Sequence, residues 1–233
     1  MTYTPVVYDW RYSVQPKDQV FRAGGNSISG GMTIGGASVV NPEPGGRAEL
    51  FMEFDQLAID GSNLDASWLI SRMLNGNIFR VRLFAPSVQL VAADDLGGVD
   101  DGVMWDNDLP WDNGYGWAFD PTAPVAIGGA KGDTSVKVNM SDYGQVLQIG
   151  HVIGFHVDGY DFAHVVTDIS YTAADRATIT VNPPLRRRVA ADDVMYLRPT
   201  MTCTCVNARE VMGSFRRGLV MDLAPMRFVE ALI

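Results

Sequence analysis

VIGFHVDGYDFAHVVTDIS, residues 152–170, is two runs of β-forming side chains around the dipeptide Asp158-Gly159. Asp-Gly reads as a turn, because glycine reaches positive φ without steric cost and aspartate is a turn-forming residue. Val152–Val157 and Phe162–Ser170 therefore read as strands joined by a tight turn. Outward from them, Ser135–Met140, Val146–Ile149, Ala177–Val181 and Val194–Arg198 read as further strands, separated by turns at Asp142-Tyr143-Gly144 and Ala173-Ala174-Asp175. Six short strands with no helical period predict a small antiparallel barrel or sandwich. Arg198-Pro199 is a natural end for it, since proline does not continue a central strand.

The flanks follow a different pattern. Arg47 to Asp55 alternates, with Ala48, Leu50, Met52 and Phe54 on one side and Arg47, Glu49, Glu53 and Asp55 on the other. That period of two predicts a half-buried strand. The chain's one convincing helix follows at about 64–74, with Leu64, Trp68, Leu69, Met73 and Leu74 as its apolar stripe and Asn75-Gly76 as its stop signal. Phe79, Val81 and Leu83 then alternate with Arg80 and Arg82. Thr202–Asn207, Met212–Leu219 and Arg227–Ile233 resume the same idiom at the other end. The sequence thus predicts one β-domain interrupted by another, the chain leaving the first near Phe84 and returning near Met201. Four Gly-Gly pairs, beginning at Gly24, Gly30, Gly35 and Gly45, read as turn chemistry.

Between the two halves lies VMWDNDLPWDNGYGWAFD, residues 103–120, in which Trp105-Asp106-Asn107 is repeated as Trp111-Asp112-Asn113. Of the chain's 27 acidic residues, eight (Asp94, Asp95, Asp100, Asp101, Asp106, Asp108, Asp112, Asp120) fall in a stretch without Lys or Arg, leaving 19 acidic against 18 basic elsewhere. A net charge of -9 argues against a duplex-binding surface, which needs clustered cations. The first residues carry no basic segment followed by an apolar run, and no apolar run anywhere approaches roughly 18 residues, so neither export nor a membrane span is predicted.

Candidate sites are few. Cys203 and Cys205 share one face of a strand and read as small buried hydrophobes. His156 and His164 would face each other across the Asp158-Gly159 turn, but with His151 they lack the Cys or Glu partners that zinc requires, and they read as surface or barrel-lining residues. Gly128-Gly129-Ala130-Lys131-Gly132 resembles a phosphate loop superficially, yet Gly rather than Ser or Thr follows its lysine. No Gly-x-Ser-x-Gly elbow marks a nucleophile. The Asp residues around Trp105, Trp111 and Trp117 lie in a loop-like stretch, where solvated carboxylates are expected rather than a glycosidase pair. The oxygens of Asp106, Asn107, Asp108, Asp112 and Asn113 suit either a calcium ion or a bare Asx-turn loop. Arg186-Arg187-Arg188 reads as a solvated basic face or, more sharply, as an intersubunit partner for the acidic tract.

Three stretches together resemble the distal tail proteins of long-tailed phages and related gene transfer agents. They are the doubled unit Trp105–Gly114, the strand end Ile179-Thr180-Val181-Asn182-Pro183-Pro184-Leu185-Arg186, and the closing Phe228-Val229-Glu230-Ala231-Leu232. The resemblance implies a mainly β chain: a tail-tube-like β-sandwich or barrel with one flanking helix (1–92 and 200–233), an acidic connector (93–124) and a small inserted antiparallel β-barrel (125–199). It implies a homo-hexameric ring in the virion's tail tip, assembled in the host cytoplasm. Such a ring joins the tail tube protein to the hub proteins and lines the channel for DNA, with no enzyme activity, cofactor, metal or specific nucleic-acid recognition. A carbohydrate- or receptor-binding tail module is the alternative.

Overall fold

The structure is a computed structural model describing residues 5–11, 13–32, 38–43, 46–58, 62–84, 121–173, 176–211, 214–216 and 220–232; for 26–32, 38–43, 58, 173, 214–216 and 220 it describes the backbone alone. The acidic tract, with Trp105, Trp111, Trp117 and its eight Asp residues, lies outside the described residues.

In chain order the elements are β1 (Val7–Asp9), β2 (Asp18–Arg22), β3 (Asn26–Met32), β4 (Ser38–Glu43), β5 (Glu49–Glu53), β6 (Leu57–Ala58), α1 (Ser62–Leu74) and β7 (Ile78–Arg82). There follow β8 (Thr122–Ile127), β9 (Ser135–Asn139), β10 (Val152–Val157), β11 (Tyr160–Ala173), β12 (Arg176–Asn182) and β13 (Val194–Tyr196). The last are β14 (Thr200–Cys205), β15 (Ser214–Arg216), β16 (Val220–Asp222) and β17 (Met226–Glu230). No described helix is long and apolar enough to cross a membrane.

The protein is mainly β. One six-stranded mixed sheet runs β1-β7-β14-β17-β5-β2, and a closed antiparallel barrel runs β10-β11-β12-β9-β8-β13. All the barrel strands fall between β7 and β14, which are hydrogen-bonded neighbours in the sheet, Arg82 opposite Thr200 and Phe79 opposite Cys203. The barrel is therefore an insertion at one strand-to-strand connection of the sheet. Among the described residues there are also a three-stranded sheet (β15-β16-β6) and a hairpin (β3-β4).

Each unit has its own core. In the sheet, Leu50, Met52, Phe79, Val81, Met201, Cys203 and Phe228 come from facing positions of neighbouring strands and pack with Leu69 and Met73 of α1. Trp10 stands among them, its ring 5.8 Å from that of Phe228 and 6.2 Å from those of Phe79 and Phe54, and its indole N–H donates to the Val14 carbonyl. In the barrel, Val125, Val136, Val138, Ile153, Phe155, Ile179 and Met195 fill the interior.

Three expectations are corrected. Of the expected stripe of α1, Leu69 and Met73 are buried with Ala66 and Trp68 packs half-buried against the same core, while Leu64 is 73% and Leu74 50% exposed. A helix lying on a sheet buries only the narrow arc that faces it, and Leu64 falls outside that arc. The helix ends as expected, with Gly76 at φ 70° and the amides of Gly76 and Asn77 bonded to the carbonyls of Met73 and Arg72, the paired bonds of a Schellman motif.

Val146–Ile149 is not a strand. Leu147 instead packs into the barrel core, and its carbonyl accepts the Tyr171 hydroxyl at 2.8 Å rather than a neighbouring strand's amide. The sixth barrel strand is β8, whose Pro124 concealed it; this proline sits opposite Val194 in the ladder.

His156 and His164 do not face each other. The two-residue turn pairs His156 with Asp161 and His164 with Ile153, and the odd offset between the two histidines in this register puts them on opposite faces.

Gly24-Gly25 lies in the bend between β2 and β3 with Gly25 at φ 129°, as its turn chemistry predicts, and Gly24 also serves a close contact: a Cβ there would lie 1.7 Å from the Gly46 carbonyl oxygen.

Candidate functional site

The chemistry-bearing side chains collect at the seam where the barrel meets the sheet. After β12 the chain passes through Pro183-Pro184-Leu185, which carries Arg186 across to the end of β17. Its side chain, 9% exposed, grips Glu230, 0% exposed: Nε donates to Oε1 at 3.1 Å and Oε2 at 3.0 Å, and Nη2 lies 2.8 Å from Oε2. The backbone amide of Ala48 also donates to Glu230 Oε2, and Arg186 Nη2 donates to the Gly46 carbonyl. Beside this pair Asn182 Nδ2 donates to the Gly24 carbonyl at 3.2 Å. The barrel thus clips onto the crossing backbones of Gly24 and Gly46, where the absence of side chains permits the approach. A buried ion pair of this kind is well satisfied only when the remaining lone pairs and N–H groups find partners, as here.

A second cluster lies where β11 crosses β7 and β14. The Asp161 amide donates to Thr202 Oγ1 at 2.8 Å, and its carboxylate holds His156 Nδ1 at 2.7 Å. Arg80 Nε stands 3.2 Å from Asp161 Oδ2 without hydrogen-bond alignment, while Arg80 Nη2 donates to the Gly159 carbonyl and Nη1 lies 3.6 Å from Asp9. Asp9, Arg80, His156 and Asp161, with Phe155, Tyr196 and Thr200, line a polar cleft of about 400 Å³. A histidine oriented by a carboxylate is half of an acid–base apparatus, yet among the described residues no hydroxyl or thiol is hydrogen-bonded to His156, and the Asp161 carboxylate also serves Arg80. The arrangement ties β10 and β11 of the barrel to β1, β7 and β14 of the sheet.

The three arginines of the basic run have separate fates. Arg186 is buried against Glu230; Arg187 pairs with Asp158 at 2.7 Å and stacks 5.1 Å above the Tyr160 ring; Arg188 is exposed. A solvated face accounts for the last alone.

His164 is buried, with Nδ1 2.7 Å from the Pro183 carbonyl. Burial pushes its pKa down to about 4, the nearby Arg186 charge lowering it further against the hydrogen bond to Pro183, so the ring is neutral and Nδ1–H donates. The Gln148 amide donates to His151 Nδ1. Cys203 and Cys205 sit in the sheet core, where burial raises the first thiol well above its ordinary pKa and the second to about 11. In Gly128–Gly132 the amides of Gly129, Ala130 and Gly132 already donate to Val189 O, Asp133 Oδ2 and Leu185 O, so the loop holds a carboxylate of its own chain where a phosphate cradle would present N–H groups. Among the described residues no three His, Cys, Asp or Glu side chains converge as metal ligands.

Sequence reasoning did not single out Glu230, Asp161 or Arg80. Glu230 carried a readable signal: in Met226-Arg227-Phe228-Val229-Glu230 it occupies the buried parity of Met226 and Phe228, and an acid there requires a buried cation. For Asp161 and Arg80, nothing in one strand tells which other strand will cross it. Comparison with protein-family models and with curated proteins finds no match.

Proposed function

We propose that this chain is a structural component of a phage tail tip: a ring-forming distal tail protein that joins the tail tube to the hub proteins and lines the channel through which DNA passes. The observation that carries the reading is an open sheet bearing a closed, rigidly clipped barrel. A closed barrel has no edges to offer, whereas β1 and β2 terminate the sheet, each pairing among the described residues on one side only. Val20 on β2 is 52% exposed. Edge strands of that kind are what a cyclic oligomer joins, since ring closure removes every free edge. The polar clusters at the seam hold the barrel in a fixed orientation, as a ring subunit with an appended domain requires.

Class averages of the purified full-length protein by electron microscopy test it. A six-fold ring with a central hole is expected; a monomer at micromolar concentration overturns the reading.

A further inference from the structure

Beside the Arg186–Glu230 pair the barrel and the chain's C-terminal end enclose a groove of about 750 Å³. Phe162, Pro184, Leu185 and the 40% exposed Leu232 give it an apolar lining. Lys131, Arg187 and Arg188 stand around it, and among the described residues the acid that lines it, Asp158, is held by Arg187 at 2.7 Å. The groove therefore carries an excess of positive charge beside an apolar lining. An occupant that matches it is acidic and brings large apolar side chains.

The chain contains one segment of that chemistry. Between Arg82 and Lys131 it has eight Asp and no Lys or Arg, and Trp105, Trp111 and Trp117 recur at intervals of six residues. We propose that the groove receives residues 103–120 of a second copy of this chain, the indoles seated on Phe162, Pro184 and Leu232 and the carboxylates facing Lys131 and Arg188. The proposal rests on the ring reading: a groove on one copy and a tract from the next make a head-to-tail contact, the kind that closes into a ring with every groove filled. Indoles supply large buried area at such contacts, and the complementary charge orients the encounter. A nucleic-acid strand is a poorer match, because it needs a continuous track of cations, whereas this groove contains an acid and its neighbouring loop amides are already bonded.

The test uses full-length chains. In a tract variant the eight Asp residues from Asp94 to Asp120 become Asn, which removes the proposed occupant's charge; in a groove variant, Lys131→Glu and Arg188→Glu reverse two exposed charges. A fluorescently labelled peptide of residues 103–120 is titrated into the tract variant. Saturable binding is expected, weakened at least about tenfold when the groove substitutions are added, when the peptide's three Trp become Ala, or when salt rises from about 0.05 to about 0.5 M. Binding that ignores the groove substitutions, or no binding, overturns the proposal. Native mass spectrometry of the two variants mixed is expected to give mixed dimers that neither gives alone; peptide binding without mixed dimers places the tract in its own groove and overturns the contact between copies. A single-stranded oligonucleotide that competes as well as the peptide overturns it too. The two readings fail separately: wild-type rings that persist in the groove variant overturn the groove contact and leave the ring standing, while open dimers through the groove uphold the contact and overturn the ring.

Discussion

Arg186 and Glu230, 44 residues apart in the chain, form an ion pair across the seam between barrel and sheet, with Nη2 2.8 Å from Oε2 and neither side chain more than 9% exposed. The pair joins the two units at the point where Gly24 and Gly46 cross, so the packing of the seam and its electrostatics depend on each other.

Removing one partner leaves the other charge buried and unpaired, which costs about 3–5 kcal/mol. Arg186→Met and Glu230→Met are each expected to lower stability by that order in urea unfolding, and the two combined to recover part of the loss. Additive losses in the double variant would show that the two residues act independently.

Gly24→Ala is expected to destabilise the chain by roughly 1–3 kcal/mol or more, because the new Cβ would lie 1.7 Å from the Gly46 oxygen, a backbone atom unable to move aside cheaply. Gly144→Asn is the control: its φ is 67°, nothing stands within 4 Å, and asparagine tolerates the left-handed region. Thermal unfolding of the two variants should separate a need for space from a need for positive φ.

His164 makes stability depend on pH. Its pKa is about 4 when folded and 6.5 as the ordinary value, so below pH 6.5 the unfolded chain binds a proton that the folded chain refuses. The stability this residue contributes is fully present above pH 6.5 and is lost as pH falls from 6.5 towards 4, by roughly 3 kcal/mol over that window. Urea midpoints at pH 7.5 and pH 4.5, compared between the wild type and His164→Gln, measure it; the variant should show the shallower decline.

On α1, Leu69→Ala is expected to cost about 2–5 kcal/mol and Leu64→Glu less than about 0.5 kcal/mol, since the first side chain is buried in the sheet core and the second is 73% exposed. Equal costs would return Leu64 to the buried stripe that the helical periodicity predicted.

The sequence by itself determined the class of the fold and most of its strands, because alternation and turn chemistry are local: Leu50 and Met52 on one side of β5, the Asp158-Gly159 turn, and the Asn75-Gly76 stop. The change of idiom at either end of the barrel also showed one β-unit interrupting another. Tertiary structure decided what depends on a partner from elsewhere in the chain. Leu147 joined the barrel core because that core and the Tyr171 hydroxyl received it, and Thr122–Ile127 became a strand despite Pro124 because the barrel had a place to close. The Arg186–Arg188 run looked uniform in sequence, yet position relative to the sheet buried one arginine, stacked the second and exposed the third. Charge and hydropathy along a chain report what each residue can offer. Which buried group accepts the offer is set by strand crossing, and that is absent from any local pattern.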